Sequence, residues 1–100
     1  MLEWLRKLFG LSKKEEPVQG EKIGTVTHYF PKPKVAVVKI EKGKLSVGDT
    51  VNFRGHTTNF KQRVDSIQVD HKPIQEAGRG REIGLQVKAR VRPHDSVYKL

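Results

Sequence analysis

Residues 40–53 read IEKGKLSVGDTVNF, a stretch holding a Gly-Lys pair and a second glycine followed by Asp49 and Thr50. Glycine, lysine and threonine are the residue types of phosphate-binding loops. A P-loop needs a glycine, four further residues and then Gly-Lys-Ser/Thr, because backbone N–H groups must curl around the phosphates while the hydroxyl holds Mg²⁺. Val38 stands in the place of the first glycine and Leu45 follows Lys44, so both required positions fail. No helical pattern follows to lend its N-terminus to an anion. The stretch reads instead as a turn: residues 41–44 are polar, and Gly43 can take positive φ at no steric cost. Leu45, Val47, Val51 and Phe53 then feed a core, with Gly48 and Asp49 turning the chain between them.

Other reactive residue types are sparse. Glu76 and Glu82 flank a glycine-bearing loop like a carboxylate pair, but no nucleophile motif accompanies them. His28, His56, His71 and His94 lack metal-ligand spacing. The absence of cysteine excludes disulfides, thiolate metal sites and cysteine nucleophiles, and fits a reducing cytoplasm. The expectation is a protein without catalytic residues, bound metal or cofactor.

Charge carries more information. Lys and Arg number 20 against 11 Asp and Glu, and the part after residue 16 keeps 16 of the basic and 8 of the acidic residues. Such an excess favours polyanionic partners. The candidate contacts are Lys32 and Lys34 at a loop tip, Arg54 and His56 after a strand end, and Lys61 and Arg63 on the next strand. Arg79 and Arg81 flank Gly80, and Lys88, Arg90 and Arg92 alternate with Val87, Ala89 and Val91. The last three would form a row on one strand face. Phosphate contacts of this kind give salt-dependent affinity with little sequence preference. Tyr29, Phe30 and Tyr98 are able to stack on bases, although strand aromatics more often serve the core or cross-strand pairs.

Two unequal parts must position these residues. In residues 1–17, MLEWLRKLFGLSKKEEP, a helical wheel gathers Leu2, Trp4, Leu5, Leu8, Phe9 and Leu11 on one half and charges on the other. Such a short amphipathic helix orders only against something: the protein's own body, a partner's groove or a membrane surface. No apolar run approaches the roughly 18 residues of a membrane span, and charges interrupt any signal-peptide core. Residues 22–100 read as strands. GTVTHYF and VAVVKI are separated by Pro31-Lys32-Pro33-Lys34; DTVNFRG, FKQRVDSIQVDHKPI, EIGLQVKARV and DSVYKL follow. Phe60, Val64, Ile67 and Val69 do not keep one period, which predicts a bulge near Asp65 and Ser66. About six short strands predict an all-β fold, a small closed six-stranded barrel.

The pattern I-E-x-G-x-L-x-V-G-D-x-V-x-F at 40–53 resembles the second domain, a β-barrel, of translational GTPases of the elongation factor Tu and elongation factor 1-alpha type. Gly24-Thr25-Val26, Val64-Asp65-Ser66-Ile67 and residues 76–84, EAGRGREIG, match its flanking motifs in order. In that family the barrel contacts the ribosomal small subunit, and in the tRNA carriers it also helps to hold the aminoacylated tRNA end. The carriers have Gly-Asp-Asn-Val-Gly where this chain reads Gly80-Arg81-Glu82-Ile83-Gly84. Glu82 changes both charge and donor capacity at the asparagine position. The resemblance therefore implies general RNA or ribosome contact rather than aminoacyl-tRNA carriage, with no GTP binding. The expected function is a non-enzymatic, cytoplasmic binding module. The alternative is an adaptor whose N-terminal helix docks on a protein or, peripherally, on a membrane.

Overall fold

Val, Ile and aromatic residues at alternating positions favour extended backbone packed on one face. The computed structural model, described over residues 20–100, contains ten strands. They are β1 (Glu21–Phe30), β2 (Val35–Ile40), β3 (Lys44–Ser46), β4 (Thr50–Arg54) and β5 (Asn59–Arg63), then β6 (Ile67–Val69), β7 (Lys72–Ile74), β8 (Glu76–Gly78), β9 (Glu82–Gln86) and β10 (Ser96–Lys99). The fold is all-β, with no helix among the described residues. The amphipathic segment 1–17, with Leu2, Trp4, Leu5, Leu8, Phe9 and Leu11, lies outside them. No helix among the described residues is long and apolar enough to cross a membrane.

Eight strands form one antiparallel sheet in the order β5-β4-β10-β1-β2-β9-β6-β7, and β3 pairs separately with β8. This corrects the closed six-stranded barrel: the described residues form ten strands, and the sheet stays open between its end strands β5 and β7. The cause lies in residues 64–66. Val64 and Ile67 are both buried although three residues apart, and the chain between them leaves the ladder. What the sequence suggests as a bulge is thus a full break, which leaves β5 with β4 and passes β6 to β9 and β7.

A side chain bridges part of the opening. Gln62 Nε2 donates to the Gln86 carbonyl at 2.9 Å, and Gln62 Oε1 accepts from the Lys88 N–H at 2.9 Å. The amide thus imitates one peptide unit of a missing strand. Gln62→Ala is expected to cost about 1–2 kcal/mol, two hydrogen bonds at the usual net value, measured as a shift of the urea midpoint at constant m.

The turn reading of residues 40–53 holds. Leu45, Val51 and Phe53 are fully buried, and Val47 is half-buried against the same core. Gly43 and Gly48 both adopt positive φ, 67° and 100°. Elsewhere one expectation fails. The strand predicted across 82–91 ends at Gln86, opposite Val35, because β2 begins there and offers no partner beyond it. Burial still alternates, with Val87 and Val91 buried and Lys88, Arg90 and Arg92 exposed. The three cations therefore sit on an irregular segment rather than in a row on a strand.

Candidate nucleic-acid interface

β1 outlasts its neighbour. β10 begins at Ser96 opposite Thr25, so the last residues of β1 keep a ladder only with β2. Residues 90–93 run beside this unpaired edge. Backbone hydrogen bonds pin the chain on either side of them: Val87 N–H to the Lys34 carbonyl at 3.0 Å, and His94 N–H to the Val26 carbonyl at 2.7 Å. Between β1 and this segment lies an open groove of about 540 Å³, lined by His28, Tyr29, Phe30, Pro31, Arg90, Val91, Arg92 and Pro93.

The sequence builds one wall of the groove through a bulge. β1 gains one residue over β2 between Val26 and His28. Val26 is buried, so unbroken alternation would send His28 and Phe30 inward and Tyr29 outward. The extra residue reverses this parity. Tyr29 packs against the core, while His28 and Phe30 are exposed.

A buried carboxylate fixes the other wall. Asp95 is 4% exposed; its Oδ2 accepts from the Arg92 N–H at 2.9 Å, and its own N–H donates to the Arg92 carbonyl at 3.1 Å. The turn 92–95 therefore closes on itself. Gly55 lies directly against this carboxylate, where no side chain would fit. Arg92 Nε donates to Thr57 Oγ1 at 3.1 Å, which ties the groove to the turn after β4. Lys88 Nζ sits 5.9 Å from the Phe60 ring centroid, and Phe60 stacks on buried Phe53 at 5.1 Å. Arg92 and Lys88 are thus each held by a named neighbour.

The proposed contacts separate into groups. Lys32 and Lys34 occupy the β1–β2 turn, whose Pro31 lines the groove, and Lys34 is bonded to the chain entering 88–92. Arg90 and Arg92 line the groove itself, and Lys88 lies just before them. Arg54 and His56 belong to the neighbouring strand end and turn, reached through Thr57. Lys61 and Arg63 are exposed on β5, outside the groove. Arg79 and Arg81 lie at the far end of β2, where the Gly80 N–H donates to the Ile40 carbonyl and the Ile40 N–H to that of Arg81. At that same far end the Lys42 ammonium meets Glu21 at 2.8 Å. Its hydrogen bond and charge hold the Glu21 carboxyl below the ordinary value. Both side chains are solvent-exposed, so the pair adds little to stability.

Residue type alone gives Phe30 little weight as a stacking residue and marks His28 only by its lack of metal-ligand spacing. The signal was present: His28, Tyr29 and Phe30 are consecutive, and one strand cannot bury all three on a single face. Tyr98, the other aromatic considered, is half-buried in β10 and does not line the groove. The apparent carboxylate pair dissolves. Glu76 meets Lys44 at 3.6 Å, whereas Glu82 accepts from Thr27 Oγ1 at 3.2 Å. Among the described residues no three His, Asp or Glu gather as a metal site.

The chain is 35% identical over 78 residues to a collagenase of Porphyromonas gingivalis, 77% of this chain and 22% of that protein. It is 43% identical over 58 residues to elongation factor 1-alpha of Pyrococcus horikoshii, 54% of this chain and 14% of that factor. The C-terminal domain of a Geobacillus thermoleovorans protein described as a U32 peptidase has a similar structure. That match has a TM-score of 0.74 at 27% identity and covers 79% of this chain and 99% of that one. The chain thus spans about a fifth, or less, of the length of the curated relatives it matches. A family model described as elongation factor Tu domain 2 matches residues 34–92, from the β1–β2 turn through the groove's arginines, and the chain belongs to that family.

Proposed function

We propose that this domain is a non-catalytic binding module that holds RNA against its groove end. One observation carries the reading: Arg90 and Arg92 line a groove that no Asp or Glu lines, and Lys32 and Lys34 belong to the turn whose Pro31 bounds it. The relatives support the coarser half of it. A domain of this type occurs in an elongation factor and at the C-terminal end of a peptidase, proteins whose named activities differ. A shared small domain in such different settings fits binding better than shared chemistry.

Titration of labelled ribosomal RNA or tRNA at two salt concentrations tests the reading. Binding is expected at low salt, with log K falling against log salt by about 0.7 per single-strand phosphate contacted. No binding at low salt would overturn it. A second reading, an adaptor that holds a polypeptide, is favoured by the similarity to the peptidase C-terminal domain. Capture of an extended peptide without any RNA affinity would support that one.

A further inference from the structure

Resting on the RNA reading, we propose that His28 and Phe30 form a slot for one unpaired base, so that the groove selects single-stranded over duplex RNA. The two rings project from alternate residues of β1, with centroids 6.4 Å apart and planes 28° from parallel. The rings are near parallel, so a planar base that stacks on one lies against the other once the pair opens. Phe30 is 52% exposed, more than any other large apolar side chain among the described residues. The bulge before His28 is what keeps it there. Bulges next to functional sites commonly re-aim a side chain in this way.

The rest of the groove supplies what a base's own phosphates need. Arg90 and Arg92 face the rings across it, and Arg92 is steadied by Thr57. Aromatic platforms beside cations are the recurring means of holding single strands, and they tolerate any base because each has a π-face. Bases inside a duplex are paired and stacked, so only an unpaired base reaches the slot. The absence of lining carboxylates distinguishes this occupant from a basic peptide.

The test uses the full chain and a labelled single-stranded RNA, with a duplex of the same length as the second probe. Wild type is expected to bind the single strand about tenfold tighter than the duplex, the effect of one stacked base. Phe30→Ala lowers single-strand affinity by about that factor and removes the preference, with the salt slope and urea midpoint unchanged. Phe30→Tyr restores it. Equal binding of both RNAs, or a Phe30→Ala protein that keeps its preference, overturns the slot and leaves the RNA reading standing. Failure of both probes to bind at low salt ends both.

Discussion

Phe53→Ala is expected to destabilise the domain by about 3–5 kcal/mol, the usual cost of truncating a fully buried aromatic. Phe53 is 0% exposed in β4, flanked by Val97 of β10 and Phe60 of β5. Asn52 beside it is also buried, so β4 is covered on both faces and cannot collapse readily into the space left behind. Most of the cavity should therefore persist. The stacked Phe60 would lose its support, and with it the ring beneath Lys88. Urea unfolding followed by tryptophan-independent far-UV dichroism measures the loss; a change below about 1 kcal/mol would contradict the packing described. Phe53→Leu, which leaves a smaller cavity, should cost distinctly less.

Gly55→Ala is expected to cost about 1–3 kcal/mol, the range for overpacking a filled site, and to weaken RNA binding as well. The added methyl would overlap the Asp95 carboxylate, which is buried and holds the Arg92 N–H. Relief requires the turn 92–95 to shift, and that turn carries one wall of the groove. Two readouts separate this from the other variants. Phe30→Ala should alter binding alone, whereas Gly55→Ala should alter binding and the urea midpoint together. Asp95→Ala vacates the space the methyl needs. The double variant should therefore be less destabilised than the sum of the singles, a coupling that a mutant cycle measures directly. Strict additivity would show that the two residues do not meet.

Much of the fold is legible because its cause is local. Leu45, Val47, Val51 and Phe53 alternate around glycines whose positive φ is available to few other residues, and the core uses them as their spacing implies. The irregular period of Phe60, Val64, Ile67 and Val69 likewise marks a real disturbance. Whether that disturbance is a bulge or a break is not written locally, since it depends on which strand each half finds opposite. The open sheet follows from the break, and Gln62 is recognisable as its bridge only once Gln86 and Lys88 lie beside it.

The groove shows the same division. Charge and alternation by themselves determined that Lys88, Arg90 and Arg92 face solvent, because a cation resists burial whatever backbone carries it. They also determined the all-β class, the turn at 41–44 and the family resemblance. The tertiary structure alone decided that these cations stand on an irregular segment beside β1. A ladder lasts only as long as its partner strand, and β2 begins at Val35. It alone decided that His28 and Phe30 point outward, because one extra residue in β1 inverts the parity that sequence alternation assumes. Side-chain exposure follows from short-range chemistry; strand length, register and the meeting of rings with arginines follow from pairings between distant residues.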